Sequence, residues 1–174
     1  MLNNDSLIDP NDRAVLRAYI ADTYGFYYYS RGKLNASLKY LQTALKIHSV
    51  RKEWDHYAKV LLHICCVHSR LKDHDSSVHA LSSVLQLVED HKLEDGGSSA
   101  QKICMIAICY HNLAIEQLHQ HEFQQACIAS QNARRLARLS LSYSNRWLKQ
   151  FERTHETVLQ AVSVKCEEAD LEIR

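Results

Sequence analysis

Proline occurs once in this chain of 174 residues and glycine four times. Short strands depend on frequent Gly and Pro punctuation, so this scarcity, beside abundant Leu, Ala, Gln, Lys and Glu, argues against a sheet-rich fold and for long helices. Also lacking is an apolar run near the roughly 20 residues that span a bilayer, so membrane insertion is not expected. The six cysteines show no CxxC spacing, and no secretory apolar segment accompanies them. Reduced thiols in a cytoplasmic protein are therefore expected rather than a disulfide scaffold. Charge of one sign is missing too, since 21 Lys and Arg against 20 Asp and Glu leave a formal net charge of +1. Such a chain has no global field to recruit nucleic acid or an anionic membrane, and its partners must be chosen locally. A Gly-rich phosphate loop is absent as well. What remains is a chain long enough for a single domain that buries most of its apolar surface.

The most informative stretch runs from Tyr110 to Ala126, YHNLAIEQLHQHEFQQA. Ala114 follows Leu113, and twelve positions later Ala126 follows a His121-Glu122-Phe123 turn, with Ala133 continuing the face. This pattern fits two antiparallel helices that touch where their side chains are smallest, with Phe123 at the turn. The frame recurs upstream with the same spacing of twelve, from Gly25 to Ser37 and from Cys65 to Ser77. Taken in order, Asp9-Pro10-Asn11-Asp12 caps and opens a first helix that Arg31-Gly32 ends, and Leu34 to His48 forms its partner. Trp54 to His68 and Ser76 to Val88 make a second pair, followed at Glu89 to Ala100 by a charged, Gly-containing stretch expected to be an exposed loop. Gln101 to His119 and Glu122 to Leu139 make the third pair, and Ser140 to Asn145 breaks the pattern.

The motifs Tyr-Gly-x-x-Tyr with Gly-x-Leu-x-x-Ser, and Asn-Leu-Ala with Glu-Phe-x-x-Ala, resemble the tetratricopeptide repeat family. The family period is about 34 residues, whereas Ser37 to Ser77 is 40 and Ser77 to Ala126 is 49. The longer units resemble those of kinesin light chains and the SNAP adaptors. The second unit departs from the pattern, with Cys65 for the small residue, His68 for the aromatic and Lys72 for the turn glycine. The resemblance implies an all-α, right-handed superhelix of about three antiparallel helix pairs plus a C-terminal capping helix. Its expected layout is a flexible N-terminus over 1–10 and a single domain over 11–168. The units fall at about 14–51, 53–91 and 100–140, with the cap at 145–168 and an acidic, mobile tail at 169–174.

The first helix of each pair lines a concave groove in that family. Carried over, the inner face is Tyr19, Asp22, Phe26 and Tyr29 from the first unit. The second unit supplies Leu62, His63, Cys66 and Arg70, and the third His111, Asn112, Ile115 and His119. Asp22 and Phe26 stand where a chaperone-tail clamp carries Lys and Asn, and a carboxylate repels that acidic ligand. The lining instead suits an amphipathic helix or extended segment of another protein. Two occupants fit it, an external segment or the chain's own C-terminal helix.

Catalytic chemistry is scarce. His63, Cys65, Cys66 and His68 are four metal-type ligands, but on one helix they point in different directions and a tetrahedral site needs convergence. Cys104, Cys109, His111, His119 and His121 add ligand types without specifying a site, so no metal and no cofactor is expected. A cysteine nucleophile would need an activating neighbour and an oxyanion site, and neither is legible. A second constellation is basic: Arg134, Arg135, Arg138, Arg146, Lys149 and Arg153. With a neutral domain and no reading element it reads as a solvated face or a site for an acidic protein, ahead of nucleic acid. The leading expectation is a non-enzymatic adaptor or scaffold, which the family resemblance extends to transport or cytoskeletal assemblies, ciliary and flagellar ones included. The alternatives are a self-associating structural subunit and, behind it, a metal- or thiol-dependent enzyme.

Overall fold

The computed structural model describes residues 9–93 and 98–172. Residues 1–8 of the expected flexible terminus, Gly96 and Gly97 of the expected loop, and residues 173–174 of the tail lie outside the described residues. The described chain is all-α, with seven helices and no strand: α1 (Pro10–Ser30), α2 (Leu34–Arg51), α3 (Trp54–Arg70), α4 (His74–Glu89), α5 (Ser99–His119), α6 (Phe123–Ser140) and α7 (Arg146–Glu172). Consecutive helices pack as neighbours, and α1, α3 and α5 also touch in succession, so the first helices of the pairs form one layer of a stack. No helix among the described residues is long and apolar enough to cross a membrane.

One turn motif joins these helices five times. Residues Gly32, Lys52, Lys72, His91 and His121 adopt the left-handed conformation, with φ between 56° and 72°. At each, that residue's N–H and the next one's return to carbonyls of the preceding helix, as in Lys33 to Tyr28 and Gly32 to Tyr29. This is the Schellman closure, which satisfies carbonyls that a helix end leaves unpaired. Only the first copy uses glycine, so Lys72 performs the turn glycine's role despite its Cβ. An apolar contact usually backs the motif. Here His48 Nδ1 lies 2.7 Å from Glu53 Oε2, and His68 Nδ1 lies 3.1 Å from Asp73 Oδ2, across two of the turns.

The spacing of twelve has a physical meaning in the pairs. The Ser37 hydroxyl donates to the Gly25 carbonyl at 2.7 Å, and the Ser77 hydroxyl to the Cys65 carbonyl at 3.1 Å, both buried. A small hydroxyl at the crossing lets two helix backbones approach and satisfies its own polar group in the same contact. The bond at Ser77 fixes the register of the second unit. In the third pair Ala114 and Ala126 are both fully buried, so close approach there is purely steric. A Cβ added to Gly25 would stand 2.5 Å from Leu41 Cδ2, and Leu41 is fully buried. Gly25→Ala would gain about 0.5–1 kcal/mol of helix preference but overpack the crossing, at a cost of about 1–3 kcal/mol. We expect a lower Tm in thermal melts; an unchanged or raised Tm would show that Leu41 has room to move aside.

Two segments differ from their expected form. The stretch after α4 is not featureless, because Leu93 is 5% exposed within the main core and Ser98 forms a reciprocal capping box with Gln101 at the start of α5. Ser-x-x-Gln before an apolar helix is the sequence signal for that cap. The final helix runs to Glu172 rather than residue 168, because no Gly or Pro follows to stop it.

Candidate functional site

The layer formed by α1, α3 and α5 is stitched by side chains between its helices. The Tyr19 hydroxyl meets His56 Nε2 at 2.9 Å, and Asp22 Oδ1 meets His63 Nδ1 at 2.9 Å. Arg70 donates to the Tyr29 carbonyl at 3.0 Å while its guanidinium lies 4.8 Å from the centroid of the Tyr29 ring. Asn112 on α5 donates to Cys65 Sγ on α3 at 3.5 Å. At the edge of the layer His74 Nδ1 lies 2.6 Å from the buried carboxylate of Glu116, and the His74 and His119 rings stack at 4.8 Å. The carboxylates Asp22 and Glu116 are thus engaged by histidines, and the positions of the three inner helices are coupled.

These contacts enclose a pocket of about 130 Å³ lined by Tyr29, Cys66, Arg70, Asn112 and Ile115 with Cys65, Ser69 and Glu116. Its size suits one side chain of a ligand. Beside it Phe26 is 58% exposed, its ring 6.1 Å from His63. The hydrogen bond to Asp22 raises the His63 pKa, outweighing the loss of solvation on burial. The neighbouring Cys65 and the charge of His63 hold the Cys66 thiol below the usual range, while Cys65, whose thiol donates to the Leu62 carbonyl at 3.0 Å, is pushed up by its neighbour Cys66 and by burial. No group of three or more His, Cys, Asp or Glu side chains converges as a metal site among the described residues. His63 and His68 are directed instead to Asp22 and Asp73.

Of the twelve groove residues expected from sequence, Tyr19, Asp22, Phe26, Tyr29, His63, Cys66, Arg70, Asn112, Ile115 and His119 share this face. Leu62 and His111 do not. Leu62 is 8% exposed within the core, and His111, 6% exposed, turns toward α7, its ring 4.5 Å from that of Phe151. The physical reason is the helical period: on α5 the open stripe runs through Asn112, Ile115 and His119, and His111 falls one position to its side. Ser69, Glu116 and His56 belong to the face and were not read from the sequence. Ser69 and Glu116 follow Cys65 and Asn112 by four residues, which is the signal that would have found them. The basic constellation is split rather than convergent. Arg134 points inward with its Nε shielded, Arg138 donates to Glu152 at 2.8 Å, and Arg146, Lys149 and Arg153 lie exposed on α7.

The capping helix does not fill the groove. Among the described elements α7 touches α5 and α6 and neither α1 nor α3, so it stacks at the end of the array. Wider clefts lie elsewhere. One of about 690 Å³ opens between the α5–α6 turn and the second half of α7, past Leu118, Phe123 and Val164. Another of about 540 Å³ crosses the outer side between α2 and α4.

Stacked antiparallel helix pairs with an open inner layer define an all-α helical-repeat fold. Solved structures that share it include BtubC (BKLC) from P. vanneervenii, with a TM-score of 0.69 over 84% of this chain at 17% sequence identity. The chain spans 56% of the length of that neighbour. No protein-family model and no curated protein matches the chain.

Proposed function

We propose that this protein is a non-enzymatic adaptor whose α1–α3–α5 face holds an amphipathic helix or extended segment of another protein. The observation that carries this reading is that α7 packs away from that face and leaves Phe26 and the Tyr29–Ile115 pocket open. An exposed aromatic beside a pocket sized for one side chain is the arrangement that anchors a peptide, with the surrounding polar groups fixing its register. The resemblance of the repeats to those of kinesin light chains and SNAP adaptors favours a transport or cytoskeletal setting in the cytoplasm, a point that rests on analogy.

The test is co-purification from cell extract with the wild-type chain and with the double variant Phe26→Ala/Ile115→Ala. We expect a partner retained by wild type to be reduced at least about tenfold with the variant, each truncated anchor being worth about 1–2 kcal/mol. Helicity and Tm should stay close to wild type, because Phe26 is exposed and Ile115 half-buried. Equal recovery of the partner with both proteins would overturn the groove as the binding face.

A further inference from the structure

α3 and α5 are each covered on one side by the second helix of the preceding pair. Counted from the crossing residues Gly25, Cys65 and Ala114, the positions nine, five and one residues before and two after form one stripe on α1, α3 and α5. On α5 they are Met105, Cys109, Leu113 and Glu116, all buried. The Cys109 thiol donates to the Leu81 carbonyl of α4, and Glu116 meets His74 of the same helix. On α3 Val60, Ile64 and Val67 are buried, and His56 stacks on His48 of α2 with ring centroids 5.2 Å apart. The same four positions on α1 are Leu16, Ile20, Tyr24 and Tyr27, and these are between 48% and 56% exposed. Within the array, then, what covers this stripe is a helix.

We propose that the stripe on α1 docks an acidic amphipathic helix of another protein, laid across Leu16, Ile20, Tyr24 and Tyr27 as α2 is laid on α3. Charge fixes the chemistry of that helix. Arg17 lies beside one end of the stripe, and Arg31, its guanidinium 5.9 Å from the centroid of the Tyr27 ring, lies at the other. Tyr40 of α2 stacks on Tyr24 and Tyr28, and α2 carries Lys39, Lys46 and Arg51 with no carboxylate. Lys33 precedes it in the turn. The acids of the first pair are Asp9 and Asp12 at the opening of α1, beside Arg13, and Asp22, which meets His63 in the groove. Carboxylates flanking the partner's apolar stripe would thus meet Arg17, Arg31 and Lys39, while its apolar residues at spacings of three and four meet the stripe itself. A second copy does not match this chemistry. Parallel pairing of two such stripes sets Arg17 on Arg17, antiparallel pairing sets Arg17 on Arg31, and α2, α4 and α6 are already packed on α3, α5 and α7. Residues 1–8 are too few to cover the stripe, which runs about 16 Å along α1. It lies on a different side of α1 from Tyr19, Asp22 and Phe26, so this contact is independent of the groove.

Fluorescence anisotropy tests this with the full chain and a labelled 18-residue peptide, the length of α2, in which leucines recur at spacings of three and four between glutamates. The peptide should bind at low salt. Raising the salt to about 1 M, or replacing its glutamates by lysines, should each weaken binding at least about tenfold. Leu16→Ser/Ile20→Ser and Arg17→Glu/Arg31→Glu should each weaken it by a similar factor, with helicity and Tm close to wild type because all four side chains are exposed. Phe26→Ala/Ile115→Ala should bind the peptide as wild type does. No binding up to about 1 mM peptide, equal binding of the lysine peptide, or unchanged affinity in either stripe variant would overturn the proposal. Loss of binding in the Phe26→Ala/Ile115→Ala variant would also overturn it, by placing the peptide in the groove. Wild type should stay at 20.1 kDa in analytical ultracentrifugation and should not sediment with phosphatidylserine vesicles. A dimer or a vesicle association that Leu16→Ser/Ile20→Ser abolishes would overturn the proposal by assigning the stripe to a second copy or to a membrane.

Discussion

Phe151→Ala is expected to remove about 3–5 kcal/mol of stability, the cost of deleting a large buried ring from a site that cannot collapse around the loss. Phe151 is 1% exposed and packs with Ala107, Ala137 and Leu148 in a small cluster that joins α5, α6 and α7. Its ring lies 4.5 Å from that of His111 and 6.5 Å from that of Trp147. Two of its neighbours are alanines, which have no rotamers with which to fill the space. Because α7 touches only α5 and α6 among the described elements, the loss should fall on its docking first. In urea unfolding followed by far-ultraviolet circular dichroism, the variant should unfold in two steps, an early one for α7 and a later one for the pairs before it. A single transition at the wild-type midpoint would show that Phe151 does not hold the cap.

The second large effect is acid destabilisation through His111. Burial in this contact pushes its pKa from 6.5 to about 4, and its Nδ1 has no hydrogen-bond partner. The folded state therefore keeps His111 neutral where the unfolded chain takes up a proton. Unfolding binds that proton, so stability contributed by this group is complete above pH 6.5 and is lost as pH falls toward about 4. A shift of that size corresponds to about 3 kcal/mol at full protonation. His63 acts in the opposite sense, because its pKa is raised by Asp22 and its contribution is present at low pH and lost as pH rises through the folded value. The clean measurement is the difference between wild type and His111→Leu in urea-unfolding free energy from pH 7 to pH 4. We expect the variant to lose less stability on acidification, with the gap growing through that window. Parallel pH profiles would mean that His111 is protonated in the fold or reached by water.

Much of the fold follows from patterns confined to a few residues. The turn signals at Arg31-Gly32 and His121-Glu122-Phe123 act through hydrogen bonds that reach no further than the next helical turn, and Pro10 opens α1 through its fixed φ. They are therefore legible wherever they occur. The spacing of twelve between small residues was legible for the same reason, since a short turn leaves the two helices of a pair little freedom of stagger. The open face was only partly legible. A period of 3.6 residues defines a stripe to within one position, which is why ten of the expected residues share the face while Leu62 and His111 leave it for the core and for α7.

By itself, then, the sequence determined an all-helical chain of stacked pairs and the small contacts at which the pairs cross. Only the tertiary structure decided which partners meet across large separations. Asp22 finds His63 at 41 residues and His74 finds Glu116 at 42. It also decided that Leu93 is core and that α7 caps the end of the array and leaves the groove open. These outcomes depend on how one pair is staggered and rotated against the next. That relation is set by packing many side chains at once, and no local pattern encodes it.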